Sequence, residues 1–279
     1  MKHPPFTIQF AHQAVSIIIP DNSDECLPEH LRRHFAGCLV ESTGEESIVF
    51  RLEMPQAKQW RLWQDDTLLL ETEAVTSLFE PLMQAVLEQL ITPAFEHLVL
   101  HAGGVALAEW GVLLCGASGS GKSTLTAILL EKGFRYLSDE ALAVELSLEV
   151  MHGFARSLVL KRGSEFVWHK PQASNDALPL PHEIAWVTPS YLRGKTIPNA
   201  SPQLLLFPKF EQGSDLTVTL LSSGETAFAL LQNLANARNL PEQGFRLTAE
   251  LARQVPAYRV TYGDETAVSD WIHTQLPER

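Results

Sequence analysis

One stretch of the sequence carries a chemistry of its own: Gly116-Ala117-Ser118-Gly119-Ser120-Gly121-Lys122-Ser123. It is a full match to G-x-x-x-x-G-K-[ST], the phosphate-binding P-loop. Each position has a physical reason. Glycines let the backbone turn so that successive N–H groups point inward, toward phosphate oxygens. A helix starting at the loop adds the positive end of its dipole. Lys122 supplies a point charge for the outer phosphates, the Ser123 hydroxyl is a ligand for Mg²⁺, and Thr124 completes the nucleotide-binding set. A chance match in a chain of this length is on the order of 0.01. A glycine-rich turn without a ligand would give no reason for Lys-Ser after the glycines.

A P-loop alone leaves motor, GTPase, kinase and transport ATPase open. Asp139-Glu140 comes next, at the end of a strand expected beside the P-loop strand. Two adjacent carboxylates can divide two tasks, holding Mg²⁺ and accepting a hydroxyl proton. His101 lies ahead of the P-loop strand and could stabilise charge on a phosphoryl group, although a lone histidine is often structural. Arg156 and Lys161, in GFARSLVLKRG, could neutralise phosphoryl oxygens or form a solvated basic face. A guanine-reading N-K-x-D motif is missing: neither Asn233 nor Asn236 is followed by it.

Other reactive residue types fit structural roles better. Cys26, His30, His34 and Cys38 recur every four residues, but four ligands along one helix span ~18 Å and cannot reach one ion. His30 and His34 read as an exposed helix face. Trp60, Trp63 and Trp110 read as packing rather than as base-stacking platforms. Arg193 and Lys195 sit in a Pro-, Ser- and Asn-rich stretch, 168–203, that reads as long loops near the site and could serve as a lid.

The elements that must position these groups follow from periodicity. Residues 6–19 and 47–53 read as short strands around a helix in ECLPEHLRRHFAGC that ends at Gly37. Residues 60–73 read as a hairpin turning near Asp65-Asp66. Val75 to Pro93 has apolar residues at helical spacing and joins the two halves. HLVLHAGGVALAEW and GVLLCG read as strands meeting at a tight turn around Trp110-Gly111, followed by the P-loop and the helix TLTAILLEKG. FRYLSDE, ALAVELS, QLLLFPKF, LTVTLL and AYRVTYG read as strands. Ser222 to Glu225 is a capping box that opens a helix through about Asn236, and helices are expected over about Arg246–Gln254 and after Asp264. The expectation is an α/β fold with a mixed central sheet carrying the P-loop. Residues 1–74 would form a small α+β accessory domain and 75–279 the P-loop domain.

Composition excludes several classes. There are 33 Asp and Glu against 21 Lys and Arg, a net charge of −12, so neither a polyanion nor an anionic membrane surface is an expected partner. The three cysteines cannot make a disulfide framework and fit a reducing compartment. The N-terminus MKHPPFTIQF lacks a signal-peptide core, and no apolar run reaches the ~20 residues of a spanning helix. The expected location is the cytoplasm.

The order His101, GASGSGKS, Ser138-Asp139-Glu140, Phe154-Ala155-Arg156, Leu160-Lys161 resembles the HPr kinase/phosphorylase family. It looks most like the HPr-kinase-related bacterial branch that includes kinases of lasso-peptide precursors. Glu131-Lys-Gly-Phe-Arg-Tyr, LLLFPKFEQG and VPAYRVTYGD look like further motifs of that branch, over roughly residues 75–279. The strand hairpin ahead of the P-loop is similar to the HPr kinase/PEP carboxykinase type of core. The resemblance implies an ATP- and Mg²⁺-dependent kinase acting on a hydroxyl, most often a serine of a peptide or small protein. Small-molecule hydroxyl kinases and a non-catalytic ATP-sensing regulator are the alternatives. It further implies Asp139 as the base, Glu140 with Ser123 at Mg²⁺, His101 at the phosphoryl site and Arg156 on phosphate, and it leaves room for a homo-oligomer. Two departures stand out: Glu140 replaces a second Asp, and the EIRGLG-type signature tied to the phosphorylase reaction is absent.

Overall fold

The computed structural model describes residues 5–23, 26–41, 48–161, 177–180 and 184–277. In chain order these form β1 (Phe6–Phe10), β2 (Gln13–Ile18), α1 (Cys26–His34), β3 (Leu39–Val40), β4 (Val49–Gln56), β5 (Gln59–Gln64), β6 (Thr67–Thr72) and α2 (Thr76–Ile91). Then come β7 (His97–Leu100), β8 (Ala102–Leu107), β9 (Trp110–Cys115), α3 (Lys122–Glu131), β10 (Arg135–Ser138), β11 (Leu142–Glu145), β12 (Met151–Gly153), β13 (Leu158–Lys161), β14 (Ala177–Leu180) and β15 (Ile184–Val187). The last elements are β16 (Asn199–Phe210), β17 (Thr217–Leu220), α4 (Ser223–Gln232), α5 (Phe245–Gln254), β18 (Ala257–Tyr262) and α6 (Glu265–Gln275).

Three sheets result, and the protein is mixed α/β. The first has the order β3-β1-β2-β4-β5-β6, the second runs β10-β8-β9-β16-β12-β11-β7 with β18 and β17 branching from β16, and the third is β13-β15-β14. The second sheet is mixed, because β16 lies parallel to both β9 and β18 while the other pairs are antiparallel. Side chains alternate across it, as strand geometry requires. Val112, Leu114, Leu204 and Leu206 enter a core shared with α2, α3 and the first sheet. Leu113, Cys115 and Leu205 enter a second core with residues of α4 and α5. β9 is therefore buried on both faces, which fits its unbroken apolar run.

The first sheet is joined to the rest by a seam of close contacts. Gly37, just after α1, abuts Ala155 so tightly that a Cβ there would run into the Ala155 carbonyl and side chain. His34, at the end of α1, hydrogen-bonds through Nδ1 to the Ser157 hydroxyl, and its ring lies 5.2 Å from that of Trp186. Further along, three imidazoles meet. His12, in the β1–β2 turn, lies 4.7 Å from His97 at the head of β7 and 6.2 Å from His152 in β12, and the last two are 5.8 Å apart. His97 is buried and neither ring nitrogen has a hydrogen-bond partner.

Four expectations need correction. His34 is not on an exposed face: it is 1 % exposed, because α1 packs on residues 154–157. The turn before β9 falls at Ala108-Glu109, with Ala108 at φ +55°, and not at Trp110-Gly111. Gly111 is a strand residue whose missing Cβ makes room for the Met151 side chain. The strand leading to Asp139, β10, is not beside β9; β8 lies between them, because the β8–β9 hairpin leaves β8's other edge for β10. The α4 helix ends at Gln232 rather than near Asn236, since residues 234–236 turn to bond β7. The loop reading of 168–203 lies partly outside the described residues. Within it, β15, a short helical turn at Pro189–Leu192 and the start of β16 replace part of the supposed loop, and Arg193 and Lys195 are exposed. No helix among the described residues is long and apolar enough to cross a membrane.

Candidate active site

The loop between β9 and α3 takes its shape from three glycines in the left-handed region: Gly116 at φ +144°, Gly119 at +83° and Gly121 at +98°. L-residues with side chains rarely adopt these angles, so the sequence pattern and the backbone agree. Ala117, Ser118 and Gly119 form an exposed crest, and Gly116, Ser120 and Gly121 are half-buried. Gly121 caps α3, and the Leu125 N–H bonds back to its carbonyl at 2.8 Å. The Phe210 N–H donates to the Ser120 carbonyl from the end of β16. Ser123 and Thr124 lie half-buried in the first turn of α3.

Lys122 is buried, and its Nζ donates to the carbonyl oxygens of Gly116 and Ala117. Burial lowers its pKa, while the nearby carboxyls of Glu140 and Asp139 pull the other way. The amine thus sits inside the loop's own curve, held by uncharged acceptors.

Near the loop lies a charged network. Ser138 ends β10 and shapes the turn that follows: its Oγ accepts from the N–H groups of Glu140 at 3.1 Å and Ala141 at 3.0 Å and donates to the Phe154 carbonyl. That turn sends the two acidic side chains to different places. Asp139 points inward and is 3 % exposed; its Oδ1 accepts from the Tyr136 hydroxyl at 3.2 Å and its Oδ2 from the Val159 N–H at 2.9 Å. Glu140 lies further out, with Oε1 3.1 Å from His101 Nδ1 and Oε2 2.7 Å from Arg156 Nη2. Arg156 is buried, stands 3.7 Å from Asp139 Oδ1 and donates to the Ser157 carbonyl at 2.7 Å.

Environment separates the two acids. Burial raises the Asp139 pKa and outweighs the Arg156 charge. Burial would raise Glu140 as well, but the hydrogen bond from His101 and the Arg156 charge outweigh it and hold Glu140 at about 2. The two carboxylates in turn push the Arg156 pKa up against the effect of its burial. Adjacent acids with opposite shifts are suited to different roles, one always ionised and one readier to take a proton.

His101, Glu140, Asp139 and Arg156 therefore form one connected group. Its nearness to the loop lysine is felt through the Lys122 pKa, to which Lys161, exposed at the end of β13, also contributes. Sequence reasoning missed Tyr136, Ser138, the Val159 amide and Asn233, whose side chain meets the loop at Gly116. Only Ser138 had a signal, a hydroxyl followed at once by two acids after a strand. No group of three or more His, Cys, Asp or Glu among the described residues is arranged to hold a metal ion. Mg²⁺, however, is ordinarily held by one or two carboxylates together with substrate phosphates and water, and Glu140 with Ser123 could contribute to such a set.

No family model and no curated protein matches the chain. Among solved structures it is similar to the Hpr(Ser) kinase/phosphatase from Coxiella burnetii, with a TM-score of 0.32 and 10% identity over 63% of this chain and 97% of that one. At that score and identity the likeness fixes neither fold nor activity.

Proposed function

We propose that this chain is an ATP- and Mg²⁺-dependent kinase that transfers the γ-phosphate to a hydroxyl, most simply a serine of a peptide or small protein. The observation that carries the reading is the pairing of a left-handed glycine loop around a buried lysine with the His101–Glu140–Arg156–Asp139 network. In this reading the P-loop region spans 75–279, 1–74 is accessory, and the protein works where ATP is, in the cytoplasm.

The roles follow from the surroundings. Loop N–H groups from Ala117 to Thr124 and the Lys122 amine would hold the phosphates, with Gly116 shaping the entry, and the amine would exchange its loop carbonyls for stronger charged acceptors. Glu140, ionised at any physiological pH, and Ser123 would hold Mg²⁺, which supplies charge neutralisation on the transferring group. Arg156 and His101 would steady Glu140, and Arg156 would add positive charge at the phosphoryl site. Asp139, with its raised proton affinity, would take the acceptor's proton. Both its oxygens are engaged and the residue is 3 % exposed, so the acceptor hydroxyl would have to reach a remaining lone pair in a nearly closed site. This engagement is the one observation that favours the alternative, an ATP-binding regulator without transfer.

The test is direct. Mg-ATP at ~100 times its dissociation constant should stabilise the wild type by ~2.7 kcal/mol, and Lys122→Ala should lose that gain. Label from γ-labelled ATP should then appear on a protein or peptide of the native host. No stabilisation of the wild type sinks the whole reading; stabilisation without transfer to any acceptor leaves the regulator.

A further inference from the structure

Asn233 stands where α4 ends, and two separate pieces of the candidate site converge on it. Its side-chain Oδ1 accepts the N–H of Gly116, the first residue of the glycine loop, at 3.1 Å. Its main-chain carbonyl accepts the N–H of His101 at 2.7 Å. Its Nδ2 donates to the Ala229 carbonyl, one turn back in α4, at 2.8 Å, which fixes the amide's orientation.

The contact at Gly116 is the unusual one. At φ +144° this residue has left the β9 ladder and opens the loop, so its N–H has no strand partner there. A half-buried backbone donor must be satisfied, and a fixed side-chain acceptor selects one orientation of the peptide. The neighbouring Asn236 makes a useful contrast. It is buried and bonds only the frame: Val99 N–H and the carbonyls of Ala94 and His97.

We infer that Asn233 is a positioning residue for nucleotide binding: it sets the entry of the phosphate loop and keeps it in register with His101. The inference rests on the reading that the loop holds phosphates. A pre-set loop does not have to be ordered when the nucleotide arrives, so the residue acts on affinity and not on the transfer step itself.

Amide hydrogen exchange on the full-length, nucleotide-free protein gives the first measurement. Asn233→Ala should lose protection at Gly116 and keep it at His101, whose partner is the main-chain carbonyl. Asn233→Asp retains an acceptor oxygen but loses the donor to Ala229, so it should keep more of the Gly116 protection than Asn233→Ala does, which ties the loss to the bond and not to a damaged fold. Calorimetry with Mg-ATP gives the second: a ~3–10-fold weaker dissociation constant for Asn233→Ala, the worth of one hydrogen bond, with saturated turnover near the wild-type value. Asn236→Ala should lower the melting temperature more, yet bind Mg-ATP normally while folded. Unchanged Mg-ATP affinity in Asn233→Ala, or loss of protection at Gly116 and His101 together, overturns the inference. Failure of the wild type to bind Mg-ATP overturns the kinase reading first, and this assignment with it.

Discussion

The two sides of the candidate site are built by opposite means. The loop side is made of backbone, contiguous in sequence, exposed at its crest and shaped by glycines; it commits one side-chain charge, that of Lys122. The other side is made of side chains drawn from three segments, and its Asp139 and Arg156 are almost wholly buried. The first arrangement costs little desolvation and can adjust. The second is a desolvated charge network, in which each member is tolerable only while its partners are present. Substitutions on the two sides should therefore fail differently: loop changes in binding, network changes in stability and transfer.

The sharpest break of that contrast is Asp139→Asn. It keeps shape and removes proton acceptance, so transfer should fall ~10²–10⁴-fold, while Mg-ATP affinity stays within a few-fold of wild type. Single-turnover transfer beside calorimetry separates the two, and near-normal transfer would remove Asp139 from the base role. Next comes Arg156→Ala, which leaves the buried Asp139 and the half-buried Glu140 without their shared cation and should cost about 3–5 kcal/mol in denaturant unfolding. Glu140 is held near 2 from an ordinary value of 4.5, so the stability it lends is complete above 4.5 and is lost as pH falls toward 2. The gap between Arg156→Ala and wild type should narrow over that window. The smallest effect belongs to Gly37→Ala, where the new methyl meets Ala155 and displaces the segment carrying Arg156. A stability loss of about 1–3 kcal/mol is expected, with transfer reduced and Mg-ATP affinity preserved. A fall in affinity there would show that the two sides of the site are not separable.

How much of this was readable beforehand follows the same division. The loop is local, and its glycines, Lys122 and Ser123 are legible because each answers to a backbone or phosphate requirement within eight residues. The acidic pair was legible as a pair, but not which member faces inward, because that depends on the Ser138 turn and on Tyr136 and Val159 arriving from elsewhere. Arg156 and His101 could be suspected but not joined, since the Glu140 contacts that join them span 16 and 39 positions of sequence. The inserted strand β8 shows why adjacency of β9 and β10 could not be read from order alone: a hairpin and a crossover leave different edges open, and no residue type marks the choice.

The seam of histidines under the first sheet carries a consequence for acidity. His34 is held down to about 3 by burial, with His30 and Arg156 adding to it, and His97 is lowered by burial, by His12 and by His152, against weaker opposition from Glu145 and Glu96. Both rings bind a proton less readily in the fold than after release, when imidazole has its ordinary value of 6.5. Below 6.5 the unfolded chain therefore takes up protons that the folded one refuses, and stability drains away as pH falls toward the folded values. Protons act here as a ligand of the open state, competing with the packing of β1, β2 and α1 on the rest of the molecule. Urea midpoints at pH 7.5 and 5.5 would measure it: the wild type should lose stability across that interval, and His97→Phe should lose less. Equal losses in the two proteins would place the acid sensitivity elsewhere.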